Sequence, residues 1–166
     1  GGNDSNGDDK NPAGMVYEAI KLAKQQNPSL NFKDYDWNND GEVDQVYLIY
    51  AGYGESSDED GSLANTIWPH EWQLSAANYK LSYDGVTIDT YGCSPELLGN
   101  ESYPVQMDGI GTACHEFSHC LGLPDLYDTS GSSNSAFGMD AWSLMDYGCY
   151  SDDVTNLRGT PLTNVG

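Results

Sequence analysis

Two histidines and a glutamate in the second half of the chain have the spacing of a metal site. His115 and His119 are four positions apart, so on a helix they project from one face, a single turn apart. Two neutral imidazoles in that arrangement can hold two corners of a zinc tetrahedron, and Glu116 lies beside them to accept a proton from water that the metal activates. Gly122 follows where helices commonly end in a left-handed residue. The spacing therefore predicts a zinc-binding helix that carries its own general base.

Two aspartates beyond the glycine are candidates for the third ligand. After the helix ends, the chain can double back and bring Asp125 to the metal as a hard oxygen ligand. Asp128, three residues further on, takes that place if the loop folds differently. Either aspartate can instead bond nearby backbone amides, as aspartates in turns commonly do. Spacing alone leaves both open as ligands.

The rest of the chain narrows the kind of zinc enzyme. No glutamate occurs after Glu116, so the chain lacks the glutamate ligand that thermolysin-type peptidases take from a later helix. A third ligand just past a glycine, with a methionine turn such as residues 143–148 further on, is the pattern of the metzincin peptidases. An aspartate would here replace their more usual third histidine. The pattern predicts a zinc peptidase.

Three stretches of the chain resemble the immune inhibitor A family of secreted bacterial metallopeptidases. They are residues 111–128, 36–44 and 67–70, and the resemblance extends over about residues 14–162. It implies an α+β, metzincin-like fold with a small twisted mixed sheet, a long active-site helix and an irregular C-terminal part that carries the methionine turn. It also implies protein or peptide substrates and a location outside a bacterial cell or on its surface.

The resemblance assigns roles to the residues of the zinc motif. It implies that His115, His119 and Asp125 bind Zn2+, while Asp128 braces the loop from behind the ligands. Glu116 would accept the proton of the attacking water and pass it to the leaving amine. Under this assignment the fourth position of the metal is left for water or for the scissile carbonyl.

Three further residues near these motifs receive weaker assignments. The resemblance implies that Met145 forms a hydrophobic floor under the metal. Tyr147 either stabilises the oxyanion with its hydroxyl, as in some metzincins, or is a packed ring with one satisfied hydroxyl. His70 has no second histidine at metal-ligand spacing, so we expect a packed or hydrogen-bonded side chain and assign it no catalytic role.

A second metal-like motif lies in the first third of the chain. Oxygen-bearing side chains alternate there with other residues: Asp36, Asn38, Asp40, Glu42 and Asp44. With Gly41 at the sixth position, this is how an EF-hand calcium loop begins. The twelfth position is Tyr47 and not glutamate, and residues 45–51 read as a buried strand and not as an exiting helix. The motif predicts either a stabilising Ca2+ or an Asn-Asp-Gly turn that leads into a strand.

Composition restricts the partners and the location of the chain. It has 166 residues and a formal net charge of -20, which argues against nucleic acid or an anionic membrane as a partner because both would repel it. No apolar run approaches 18 residues, so membrane insertion is not expected. None of the four cysteines has Cys-x-x-Cys spacing, and we expect small buried thiols.

The order of elements follows from periodicity and from breakers. An amphipathic helix is predicted over residues 14–26 and a buried strand over 45–51. Short strands are predicted near 65–70 and 86–92, and the zinc helix over about 107–121.

The domain boundaries leave alternatives open. Residues 1–13 read as a flexible linker or an expression-derived edge, and 14–166 as the peptidase domain. A metzincin domain normally opens with a strand and closes with a helix, whereas this chain opens with a helix and closes with the polar stretch 156–166. We therefore expect a pared-down domain or a fragment. The alternatives to a peptidase are a non-catalytic, calcium-stabilised extracellular binding module and a zinc hydrolase that acts on other bonds.

Overall fold

The structure is a computed structural model that describes residues 2–57, 61–102, 105–130 and 138–150. The polar stretch 156–166 lies outside these residues. The helices are α1 (Pro12–Gln26) and α2 (Ile110–Cys120). The strands are β1 (Val46–Tyr53), β2 (His70–Gln73), β3 (Leu81–Tyr83), β4 (Val86–Ile88), β5 (Thr90–Leu98) and β6 (Gln106–Met107). The predicted α+β class is confirmed.

Strand β5 organises a small mixed sheet. It pairs in parallel with β1 and antiparallel with β2, so that Cys93 lies opposite Leu48 on one side and His70 on the other. The two-residue strand β6 pairs antiparallel with the far end of β5. Strands β3 and β4 form a separate hairpin. Since β5 is paired on both sides, its middle is buried, and Tyr91 and Cys93 are fully covered.

Helix α1 contributes one face to the core. Ala13, Val16 and Ile20 recur at helical spacing and join the same buried cluster as Tyr91. The helix begins two residues earlier than predicted because the Asn11 side chain accepts the Gly14 amide at 3.1 Å and caps the first turn. No helix within the described part of the chain is long and apolar enough to cross a membrane.

Two predicted elements occupy different residues in the structure. The strand expected near 65–70 is β2, which begins only after Pro69 because proline cannot donate a ladder hydrogen bond. Helix α2 begins three residues later than predicted because 106–107 pair with β5 and the Asp108 amide donates to the Glu96 carbonyl at 2.8 Å. The strand expected over 86–92 is divided between β4 and β5.

The segment before α1 contacts the rest of the domain. Asn3 and Asp9 form an isolated antiparallel bridge, which closes the segment into a loop. From this loop the Asn3 side-chain amide donates to Glu55 at 2.7 Å, and Asp9 accepts the Trp68 amide at 2.8 Å. The contact with Trp68 lies at the edge of the cleft described below.

Candidate metal centre

Helix α2 carries the metal motif beneath the sheet. It packs against β5 and β2, and His115 and Glu116 are each only 8% exposed. The helix ends at Cys120, and Gly122 follows with φ +86, the left-handed conformation predicted for this position. The Gly122 amide donates to the His119 carbonyl at 2.8 Å, so the chain turns directly after the second histidine.

Three possible ligand atoms converge at the end of this helix. Nε2 of His115 and Nε2 of His119 are 3.1 Å apart, and Oδ1 of Asp125 is 3.2 Å from each. Ligand atoms bonded to one zinc at about 2.0–2.1 Å in a tetrahedron lie about 3.3 Å apart. The three atoms therefore have the separation that a single zinc ion requires.

Hydrogen bonds on the outer side of the imidazoles determine what the inner nitrogens offer. Nδ1 of His115 donates to the Leu144 carbonyl at 2.8 Å, and Nδ1 of His119 donates to the Leu123 carbonyl at 2.7 Å. Since a carbonyl only accepts, each neutral ring carries its proton on Nδ1 and turns a lone pair on Nε2 inward. Oδ1 of Asp125 is buried and has no hydrogen-bond partner among the described residues. Three acceptors that face one point without a donor fit a bound cation.

The loop after Gly122 distinguishes the two candidate aspartates. Asp125 faces both histidines, whereas Asp128 is exposed and its Oδ1 accepts the Ser130 amide at 2.9 Å. Asp128 therefore stabilises its own turn. Tyr127, which the sequence did not single out, lies beside the Asp125 carboxylate. Burial and the neighbouring Asp125 charge raise the pKa of Tyr127 to about 12.

Glu116 is a buried residue next to the candidate metal ligands. Its carboxylate belongs, with the nitrogens of His115 and His119, to one group of possible ligand atoms within 4.8 Å of one another. Burial, and then the negative charge of Asp125, raise the pKa of Glu116 to about 8. A cation at the centre would counter this shift because it favours the ionised carboxylate.

The turn at Met145 is linked to the ligand loop. Met145 is buried, and its carbonyl accepts the Leu126 amide at 2.7 Å. The next residue, Asp146, is 3% exposed and accepts the amides of Asp140 at 2.6 Å and of Tyr147 at 2.8 Å. The bond between Leu126 and Met145 joins the turn to the loop that carries Asp125, and the bonds of Asp146 stabilise the turn itself. The role of Asp146 was missed, although it lies inside the motif that drew attention to Met145.

A cleft of about 330 Å3 opens beside His115 and Glu116. Its lining combines four large aromatic side chains, those of Trp68, Tyr127, Tyr147 and Tyr150, with Pro69, the motif residues His115 and Glu116, and the smaller or polar residues Ser56, Thr112, Asp146 and Cys149. Tyr147 is 64% exposed, so its ring is not a packed one. No spacing in the sequence assigned Trp68 or Tyr150 to a cleft, because the cleft is assembled from segments far apart in the chain.

The EF-hand-like loop directs its first carboxylate to the protein's own donors. The Asp36 side chain is fully buried, and it accepts Nζ of Lys33 at 2.6 Å and the amides of Asp40 and Gly41 at 3.1 and 3.2 Å. The bond from Lys33 is the main reason why the pKa of Asp36 is lowered.

Three other predicted calcium ligands also accept hydrogen bonds from backbone amides of the same loop. The Asn38 side-chain oxygen accepts the Asp40 amide at 2.9 Å, and Asp40 accepts the Glu42 amide at 2.9 Å. Asp44 accepts the Trp37 amide at 2.5 Å. Within the described residues, acidic groups of this loop do not assemble as a metal cluster. The predicted calcium site is therefore not supported.

His70 is hydrogen-bonded within the fold, and the four cysteines are unpaired. His70 donates from Nδ1 to the Trp68 carbonyl at 2.7 Å and accepts the Tyr91 hydroxyl at Nε2 at 2.9 Å. The expected hydrogen-bonded histidine is confirmed. All four cysteines carry free thiols, and Cys93 and Cys149 are buried, whereas Cys114 and Cys120 are half-buried.

Comparison with known proteins supports the same interpretation. The chain is 26% identical over 170 residues to Immune inhibitor A of Bacillus thuringiensis subsp. alesti, an alignment that covers 96% of this chain and 24% of that protein. It is also 26% identical over 172 residues to the Pre-pro-metalloprotease PrtV of Vibrio cholerae serotype O1 (strain M66-2), covering 94% of this chain and 18% of that protein. The chain thus spans a quarter or less of the length of these relatives. Residues 1–165 match the model of the immune inhibitor A peptidase M6 catalytic domain, and the chain belongs to that family.

Proposed function

We propose that this domain is a zinc-dependent endopeptidase in which His115, His119 and Asp125 bind the metal. The observation that carries the proposal is the triangle of two Nε2 atoms and one carboxylate oxygen, 3.1–3.2 Å on a side, with no donor facing it. Nitrogen and oxygen donors in a site of three protein ligands are typical of catalytic zinc, which keeps a position open for chemistry. Family membership supports peptide bonds as the substrate.

Glu116 is the general base of the proposed reaction. Zinc, when bound, supplies Lewis acidity that polarises a carbonyl and lowers the pKa of water toward about 7. Glu116 borders the cleft and adjoins both histidines, so its carboxylate can take the proton of an attacking water. The same group then returns the proton to the leaving amine, so that the C–N bond breaks with a neutral amine as the leaving group.

Two residues of the methionine turn complete the proposed metzincin-like site. Tyr147 lines the cleft with an exposed ring, so its hydroxyl is available to donate to the developing oxyanion. Met145 is buried in the turn whose preceding carbonyl, that of Leu144, fixes the His115 ring. A hydrophobic floor of this kind keeps the ligand geometry fixed without contributing a ligand.

We infer proteins or peptides as substrates and a location outside a bacterial cell or on its surface. The name of one relative describes a pre-pro-metalloprotease, which supports a secreted precursor. We further propose that residues 14–166 form the catalytic domain, whether complete in itself or part of a longer protein.

Metal content and casein cleavage, measured together, test this function. We expect one zinc per chain in the wild type and in Glu116→Gln, with cleavage reduced at least about a hundredfold in the variant, since general-base catalysis contributes at least that factor. Asp128→Asn is the matched control because that carboxylate bonds only its own turn, and it should retain both zinc and cleavage. A wild-type chain that binds no added zinc would refute the proposal, and zinc binding without cleavage would favour a binding module.

A further inference from the structure

Trp68 is held at the edge of the cleft by hydrogen bonds on both sides of its backbone. Its amide donates to Oδ2 of Asp9 at 2.8 Å, and its carbonyl accepts Nδ1 of His70 at 2.7 Å. The His70 ring is itself fixed because Nε2 accepts the hydroxyl of Tyr91, a fully buried residue of β5. The position of Trp68 is therefore tied to the centre of the sheet.

Folding leaves more than half of the Trp68 side chain exposed. Trp68 is 54% exposed although it lines the cleft that contains His115 and Glu116. A large aromatic surface that is left open while its backbone is held by two hydrogen bonds is preorganised, so a ligand can use it without ordering it first.

The surroundings of Trp68 indicate what it would contact. Pro69, Tyr127 and Tyr150 line the same cleft and present apolar or aromatic surface. Asp146 also borders the cleft, but it is only 3% exposed and its two oxygens accept backbone amides, so it presents little charged surface to a basic side chain. Aromatic walls of this kind favour a large apolar or aromatic side chain.

We infer that Trp68 is a specificity-determining residue that contacts a large apolar or aromatic side chain of the peptide substrate, and that Asp9 and His70 position it. This inference rests on the proposed peptidase function. It also gives a role to His70 and to the segment before α1, neither of which the zinc chemistry requires.

Three synthetic Gly-Ala octapeptides with Phe, Lys or Gly at the centre test the inference. Cleavage is followed with the zinc-loaded wild type, and binding with the Glu116→Ala background, in which the peptide stays intact. We expect the wild type to prefer the Phe peptide, and Trp68→Ala to reduce that preference over Gly about tenfold through KM and Kd, since truncated tryptophans at interfaces typically lose affinity of that order. Trp68→Phe should restore most of it.

Control variants separate a local role from a general one. Trp37→Ala removes another exposed tryptophan, 67% accessible and outside the cleft lining, and should leave the preference unchanged. Asp9→Ala should weaken the preference, while Asp9→Asn, which retains an acceptor for the Trp68 amide, should preserve it. Melting temperatures and zinc content of each variant are compared with the wild type to confirm that the fold and the metal are intact.

The outcomes distinguish this inference from the function on which it rests. A folded, zinc-loaded Trp68→Ala that retains the wild-type preference overturns the inference while the peptidase function stands. A preference for Lys that Trp68→Ala leaves unchanged overturns it as well. If the wild type cleaves none of the peptides or casein, the peptidase function fails, and Trp68-dependent binding of the Phe peptide by Glu116→Ala would still support the contact.

Discussion

Helix α2 with its following loop and the loop before strand β1 both carry acidic residues at metal-ligand spacing, yet their polar atoms face different partners. At the end of α2, Oδ1 of Asp125 is buried without a donor, and Nε2 of His115 and Nε2 of His119 face each other at 3.1 Å. In the loop before β1, the Asp36 side chain is fully buried, but it accepts the Lys33 ammonium and two amides of the same loop.

The difference concerns what each region requires in order to be stable. Acceptors without donors raise the free energy of a folded protein, and a bound cation reverses this. The end of α2 therefore has a reason to bind a metal, whereas the loop before β1 obtains its positive charge from Lys33. Two regions with similar ligand spacing thus differ in whether the protein supplies hydrogen-bond donors to the side-chain oxygens that could bind a metal.

The largest expected effect comes from removing the carboxylate at the metal centre. Asp125→Ala should weaken zinc binding by about a hundredfold or more, because structural zinc sites derive about 10–16 kcal/mol from four ligands together. The stability of the metal-free protein should stay the same or rise, because the substitution removes a buried acceptor without a partner. Zinc titration and thermal unfolding in a chelator measure the two effects.

A loss of stability in metal-free Asp125→Ala would mean that both regions stabilise the fold through their aspartates. If metal-free Asp125→Ala melts well below the metal-free wild type, Asp125 stabilises the fold as Asp36 does. Asp128→Ala is the control, since its carboxylate contacts the Ser130 amide and neither histidine in the structure. It should leave the zinc affinity unchanged.

The reverse pattern is expected in the loop before β1. Asp36→Ala removes the acceptor of Lys33 and of two amides, so the melting temperature should fall by roughly 5 °C, while zinc affinity stays at the wild-type level. Asp34→Ala is the matched control because Asp34 is exposed and accepts only from the Asn31 side chain at 2.7 Å. A calcium-dependent rise in melting temperature that Asp36→Ala abolishes would contradict this account of the loop.

The sequence predicted the helix that carries the two histidines more successfully than it predicted the local hydrogen bonding. Four-residue spacing and a glycine stop were enough to predict that His115 and His119 share a face and that the helix ends just before Gly122, because helical geometry is nearly invariant. The relation of Asp36 to Lys33 was missed, since it depends on how a short irregular segment folds. No periodicity describes such a segment.

Long-range contacts were the least accessible to sequence reasoning. Trp68 is hydrogen-bonded to Asp9, which lies 59 positions earlier in the chain. The cleft likewise combines residues just before β2, residues of α2 and residues of the turn at Met145. The strand near residue 65 was misplaced for the same reason, because pairing with β5 and the missing amide of Pro69 decide where β2 begins. Such pairings depend on tertiary contacts that a single sequence does not display.

The smallest expected effect is an opposite response of the two regions to acid. Burial raises the pKa of Asp108, just before α2, from its ordinary value of 3.8 to about 6, whereas the bond from Lys33 lowers the pKa of Asp36. The raised pKa means that Asp108 contributes stability that is fully present below about pH 4 and is lost as the pH rises through about 6. The lowered pKa means that Asp36 contributes stability that is present above about pH 4 and is lost as the pH falls through its folded value.

Urea unfolding between pH 3 and pH 7.5 separates the two contributions. Asp108→Asn keeps an oxygen for the Gly109 amide and cannot ionise, so it should match the wild type at pH 4 and exceed it by about 1 kcal/mol above pH 7, after allowance for solvent screening. Asp36→Asn should be less stable than the wild type at pH 7 and approach it below pH 4. Equal pH profiles for Asp108→Asn and the wild type would mean that the Asp108 carboxylate is not disfavoured by burial, because ionisation would then carry no penalty in the folded state.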